Sequence, residues 1–155
     1  MQKNQNAFEC KMCGSCCHGE GGIIVSPTDL NRLKQALNLP EDDIIQHYLL
    51  KRNGKLVIKT DSEDQCIFFK YGEGCLIHDV KPDICRAWPF FRGNLEDRMS
   101  WEMAMDICPG INPDVEHSEF VRQGLDYLQE NNLIMNNHPN AANVLKLRNI
   151  KGFDK

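Results

Sequence analysis

The chain has 155 residues, of which 41% are hydrophobic, the size of one domain that buries about two-thirds of its surface on folding. Its formal net charge is −4 with no block of lysine or arginine, which argues against nucleic acid as a partner because phosphate binding needs a basic face. No run approaches the roughly 18 apolar residues of a membrane span, and the opening residues carry no apolar stretch. A cytoplasmic, reducing location without a membrane partner is the expectation.

In chain order, the first feature is C-K-M-C-G-S-C-C, which holds Cys10, Cys13, Cys16 and Cys17. C-x2-C spacing points two soft sulfur ligands from one turn at one ion. Gly19-Glu20-Gly21-Gly22 lacks the lysine of a phosphate loop and reads as an exit from that turn. Ile23-Ile24-Val25 reads as a short strand. Ser26-Pro27-Thr28-Asp29 predicts a helix start, with Ser26 as N-cap, Pro27 at the first position and Asp29 as the reciprocal cap. Leu30, Leu33 and Leu37 then repeat at helical spacing. Pro40-Glu41-Asp42-Asp43 opens a second helix that carries Ile44, Ile45, Tyr48 and Leu49 inward and stops near Asn53-Gly54.

Leu56-Val57-Ile58 predicts a strand. Asp61–Asp64 reads as a solvated turn whose spacing matches no calcium loop. Cys66-Ile67-Phe68-Phe69 and Cys75-Leu76-Ile77 predict a hairpin through Tyr71-Gly72-Glu73-Gly74, with a cysteine starting each arm. Lys81 to Trp88 predicts a short helix stopped by Pro89 and bearing Cys85 on its inner turn. Trp88, Phe90 and Phe91 are expected in the core. Asn112-Pro113-Asp114 starts a longer helix to about Gln129, with Phe120, Val121, Leu125 and Leu128 on one face. The expected fold class is α+β, a small irregular cysteine-rich metal-binding domain with short strands, a hairpin and several helices. Its expected extent is residues 8–130, succeeded by a partly mobile C-terminal extension over 131–155.

Eight cysteines, completed by Cys66, Cys75, Cys85 and Cys108, make two sets of four, the ligand number of a closed thiolate zinc site or of an iron–sulfur cluster. A disulfide framework would allow about 105 connectivities. Such frameworks belong to short secreted chains, and vicinal Cys16 and Cys17 cannot pair without strain. The run C-x2-C-x2-C resembles the stretch that wraps a [4Fe–4S] cluster, whose fourth ligand can precede a proline, as Cys108 does. Adjacent side chains diverge, so Cys16 and Cys17 feed separate centres. The resulting partition is Cys10, Cys13, Cys16 and Cys108 in one site, with Cys17, Cys66, Cys75 and Cys85 in the other. Each loaded centre would add about −2 of charge.

Arg86 adjoins Cys85 and is the candidate cofactor-binding residue, donating to a thiolate centre; the alternative is an ion pair with Asp83. His18 could replace one thiolate. His47, His117 and His138 are expected on solvated helix or tail surfaces, and no paired-histidine metal spacing is present.

These motifs also carry a resemblance. C-x2-C-G-x-C-C, a Ser-Pro-x-Asp helix, C-I-F-F, C-L-I-H, K-P-D-I-C-R-A-W-P-F and C-P-G, from about Phe8 to Gly110, resemble the YkgJ-type cysteine-cluster family. That resemblance implies a zinc- or iron-chelating module. The family includes the cysteine-rich part of flagellin lysine N-methylases, which implies an iron–sulfur cluster and methyl transfer. The family commonly has an aromatic where His78 stands, so His78 is expected to pack in its place. It also has Arg-Pro where Lys81-Pro82 stands. The long region that would hold a methylase's protein substrate is not evident. Three functions remain open: an iron–sulfur protein in redox or methyl-transfer chemistry, a structural zinc module that docks a protein, and a metal-handling protein. The partner, a protein or a small molecule, is unnamed by the sequence.

Overall fold

The computed structural model describes residues 5–14, 23–134 and 145–147. Short antiparallel strands and helices give the α+β class expected. Internal contacts resolve the chain into two compact units: a central unit, Gly14–Arg86, and a terminal unit that joins Met1–Cys13 to Ala87–Lys155.

In the central unit, β1 (Ile24–Val25) leads into α1 (Pro27–Leu37) through the predicted capping box. Ser26 Oγ accepts the Asp29 N–H at 3.1 Å, and Asp29 Oδ2 accepts the Ser26 N–H at 3.0 Å. These bonds satisfy two donors that a helix start would otherwise leave orphaned. Leu30 and Leu33 face inward. α2 (Glu41–Tyr48) is shorter than its apolar pattern predicts, because Leu49 begins a strand instead of another turn. That strand, β2 (Leu49–Arg52), pairs with β3 (Lys55–Ile58), and β1 adds to the far side of β3.

The reason is the turn between them. Asn53 and Gly54 both take positive φ, 52° and 78°, the two-residue turn whose twist matches a hairpin. It fixes the register Arg52↔Lys55 and Leu50↔Val57. The hydrophobic layer comprises Val25, Leu30, Leu33, Ile44, Leu49, Ile58, Cys66, Phe68 and Ile77.

The predicted second hairpin forms, with arms cut to β4 (Phe69–Lys70) and β5 (Gly74–Cys75). Cys75 therefore ends its arm, and Cys66 precedes the other in a separate bridge to Thr60. Asp61 Oδ1 closes the acidic turn by accepting the N–H groups of Glu63 and Gln65. A 3-10 turn, His78–Val80, leads to α3 (Asp83–Ala87), which bears Cys85.

The terminal unit holds two helices in a stretch for which the sequence predicts no element: α4 (Arg92–Glu96) and α5 (Arg98–Ile107). α5 buries only Trp101 and Ala104, too few apolar positions to make a recognisable stripe. Its start signal is Asp97, whose carboxylate accepts the Ser100 N–H at 3.1 Å. α6 (His117–Glu130) begins later than expected. Asn112 Oδ1 first accepts the Asp114 N–H, forming a turn that buries Val115.

Phe120, Gly124 and Leu128 form the inner face of α6. Around Phe90, the rings of Phe8, Phe120 and Tyr127 lie with centroids 6.1, 5.0 and 5.7 Å away. Phe90 is buried, with Trp88 and Phe91 packed at the edge of the same core. From the C-terminal extension, Leu133, Leu145 and Leu147 are buried in that core. Among the described residues no helix is long and apolar enough to cross a membrane.

Gly124 makes the packing testable. Alanine inside a helix ordinarily stabilises by about 1 kcal/mol over glycine. A Cβ at Gly124, however, would lie 2.6 Å from Phe90 Cδ1, and three neighbouring rings keep Phe90 from yielding. Gly124→Ala is expected to reverse sign and destabilise by about 1–3 kcal/mol, read as a lower urea midpoint at unchanged slope.

Candidate metal centre

The C-P-G motif explains how the N-terminal cysteine segment is held in the terminal unit. Phe8 bridges Ile111 in antiparallel register, the Glu9 N–H donates to the Gly110 carbonyl at 2.9 Å, and the Asn112 N–H donates to the Ala7 carbonyl at 2.9 Å. The Ile111 N–H also donates to the Cys108 carbonyl at 3.2 Å, so Cys108 opens the turn against which the segment leading into Cys10 is held.

The Gln123 side chain adds a rung from α6. Its Oε1 accepts the Ala7 N–H at 2.8 Å and its Nε2 donates to the Gln5 carbonyl at 2.9 Å. Gln123 and Arg122 also donate to Glu119, and the Arg122 bond first, then that of Gln123, holds the Glu119 carboxyl down at about 2. Cys108 is buried at the C-cap of α5, where its N–H reaches the Ala104 carbonyl at 2.9 Å.

Past Cys10 the chain turns sharply. Met12 takes φ 51°, a conformation that costs a non-glycine residue about 1–2 kcal/mol. In return its N–H lies 3.4 Å from Cys10 Sγ. Cys10 and Cys13 are exposed.

The central unit begins with its own anchor at Gly14. This residue has φ 83°, and the Phe69 ring packs so closely that a Cβ there would sit 2.5 Å from Cζ. Gln65, buried, donates from Nε2 to the Gly14 carbonyl at 3.2 Å. Phe69 is also the residue to which two cysteines are tied: its N–H donates to the Cys66 carbonyl at 3.0 Å, and Cys75 is its strand partner. Cys66 is buried, while Cys75 and Cys85 are half-buried.

Arg86 donates from Nη1 to Asp83 Oδ1 at 3.1 Å, the ion pair weighed as its alternative role. Arg32 joins the same carboxylate at 2.9 Å and also bonds Asp29. Burial opposes the Arg32 charge, but Asp83 and Asp29 outweigh it and raise its pKa. His78 lies 3.4 Å through Nδ1 from Lys81 Nζ. Burial first, then the Lys81 charge, lowers its pKa, which favours neutral imidazole at pH 7.

His47 is exposed as expected. His117 departs from expectation: half-buried, it contacts the Asn94 carbonyl through Nε2 at 2.8 Å and lies 5.0 Å from the Trp101 ring. Cys16, Cys17, His18 and His138 lie outside the described residues. Among the described residues, no three or more His, Cys, Asp or Glu side chains converge as a metal site. The six described cysteines all sit at turns, bridges, element ends or within a one-turn helix. Gln65 and Gln123 are not legible in the sequence, because a side-chain amide that replaces a backbone rung leaves no periodicity or motif.

Residues 9–109 match the CxxCxxCC family, described as "Putative zinc- or iron-chelating domain". The chain belongs to this family. The match begins one residue before Cys10 and ends one residue after Cys108, so all eight cysteines fall inside it. Family membership supports metal binding, with zinc or iron as the chelated metal. A stretch of 88 residues is 32% identical to "Uncharacterized protein MJ0661" of Methanocaldococcus jannaschii, covering 56% of this chain and 47% of that protein. The CxxCxxCC chain thus spans about half the length of that curated relative. No solved structure matches it.

Gly110 offers a test of the ladder that does not depend on metal. A Cβ there would lie 2.4 Å from the Glu9 carbonyl oxygen, a backbone atom with little freedom to move. Gly110→Ala is expected to break the Glu9–Gly110 bond and speed amide exchange at Glu9 and Asn112 at least tenfold, measured by hydrogen–deuterium exchange.

Proposed function

We propose that this CxxCxxCC chain is a chelating protein that holds zinc or an iron–sulfur cluster in closed thiolate centres. Cys10, Cys13, Cys16 and Cys108 would supply one centre, and Cys17, Cys66, Cys75 and Cys85 the other. The observation that carries this reading is the ladder between Phe8–Glu9 and Gly110–Ile111, which ties the segment leading into Cys10 to the turn that Cys108 opens. The Met12 N–H directed at Cys10 Sγ supports it, because such a bond lowers the repulsion among thiolates sharing an ion.

A donor set of sulfur alone fits both metals and leaves no open position, so a hydrolytic zinc enzyme is disfavoured. Bound iron–sulfur would supply electron transfer, and bound zinc would supply cross-links between distant segments. Arg86, next to Cys85 and anchored on Asp83, would offset part of the thiolate charge. Its partner would be a protein or a small molecule.

Anaerobic purification with metal and sulfide analysis and a visible spectrum tests the reading. Zinc at about two per chain without colour, or iron with labile sulfide at about eight per chain and a brown absorption, is expected from eight thiolates. Cys10→Ser should then lose about half the metal and Cys66→Ser the other half. Protein that takes up neither metal under reducing conditions overturns the proposal. Chelation of the bound metal is also expected to lower the unfolding temperature, since closed sites contribute folding free energy. An unchanged melting temperature would remove the structural role.

A further inference from the structure

Asp29 caps α1, but its carboxylate does more than capping requires. It is 2% exposed, and a buried carboxylate persists only where bonds replace its lost water. Oδ2 accepts the Ser26 N–H at the start of α1. Oδ1 accepts from Arg32 and also from the backbone N–H of Asp83, at 3.1 Å, from a segment 54 residues away. Asp83 is the first residue of α3, and its N–H is one of the donors that a helix start leaves without an internal partner.

α3 has five residues, too few to persist on its own propensity. Its first turn is fixed from two sides. Asp29 takes the backbone N–H, and Arg32 holds the Asp83 side chain at 2.9 Å. Cys85 lies two residues on, its N–H bonded to the carbonyl of the fully buried Pro82 at 2.9 Å.

We infer that Asp29, with Arg32, is the positioning residue for Cys85: one buried carboxylate caps α1 and α3 together and sets where the Cys85 thiolate is presented. The inference rests on Cys85 being a metal ligand. Asparagine cannot replace this carboxylate, because it offers one acceptor oxygen to two backbone donors and adds a donor of its own.

The test compares Asp29→Asn with Ser26→Ala. The second removes the hydroxyl that caps α1 and leaves the Asp29–Asp83 bond in place. Both are read at a temperature where circular dichroism shows each folded. Asp29→Asn is expected to release metal to excess chelator about 10–100-fold faster than the parent, while Ser26→Ala melts lower but releases metal at the parental rate. In metal-stripped protein, Asp29→Asn is expected to speed iodoacetamide alkylation of Cys85 at least fivefold, measured by peptide mass spectrometry, with Ser26→Ala at the parental rate. Equal behaviour of the two variants in both measurements overturns the inference. A parent that binds no metal sinks the chelation reading instead, and the alkylation comparison then decides the positioning of Cys85. Should Asp29→Asn fail to fold, Asp29→Glu carries the same comparison, since it retains capping-box chemistry while an added methylene moves the carboxylate off the Asp83 N–H.

Discussion

A carboxylate taken out of water needs as many hydrogen bonds as it gives up, and Asp29 finds them in the central unit from Ser26, Arg32 and Asp83. Two of these donors are backbone N–H groups at helix starts, and the third is a guanidinium shared with a second carboxylate. The desolvation cost of a buried ion is several kcal/mol before such bonds offset it. Removing any one partner therefore costs more than the bond itself would suggest. The local consequence is that α1 and α3 cannot be placed independently. The C-terminal end of the unit, where Cys85 lies, is tied to its first helix by the Asp29 and Arg32 side chains.

The terminal unit solves a comparable problem with backbone. Its N-terminal segment has no strand partner in sequence, yet Ala7 is bonded through both its N–H, to the Gln123 amide, and its carbonyl, from Asn112, and the Glu9 N–H is bonded to Gly110. Such a ladder is too short to persist alone. It stands because Phe8 and Ala7 enter the core around Phe90 and Phe120. The glycine of the C-P-G motif is required by that close approach, since any side chain there would meet the Glu9 carbonyl.

The range of each interaction decides how much of this is legible in the sequence. The Ser26–Asp29 box, the hairpin at Tyr71–Gly74 and the placing of Phe120 and Leu128 on the inner face of α6 are local, so residue type and spacing reveal them, whereas Gly124 takes the inner position and leaves Val121 and Leu125 half-buried. The end of α2 is hidden because Leu49 continues the helical period, whereas Asn53-Gly54 demands a hairpin whose first arm needs that same residue. α5 escapes because two buried residues, Trp101 and Ala104, do not make a stripe. Membership of the chelating family is readable from the cysteine spacings. The Gln65, Gln123 and Asp29 contacts are not, since each joins residues roughly fifty to over a hundred positions apart.

The positions of the cysteines connect these arguments. Cys10 comes after a short ladder, Cys13 precedes a left-handed glycine, and Cys66 sits at an isolated bridge. Cys75 closes a two-residue strand, Cys85 lies in a one-turn helix, and Cys108 caps α5. Few of these elements have the length to be stable by local hydrogen bonding. A fold that wanted cysteine only as a small apolar residue would bury it within regular elements, as most structural cysteines are. Here even the two buried ones, Cys66 and Cys108, fall at a bridge and a helix end. At such positions backbone N–H groups are left over from regular pairing and can turn toward sulfur, as that of Met12 does toward Cys10. Irregular backbone thus leaves donors free to meet a sulfur, as the Met12 N–H meets Cys10, and under the proposed chelation the short elements would serve the site as well as the fold.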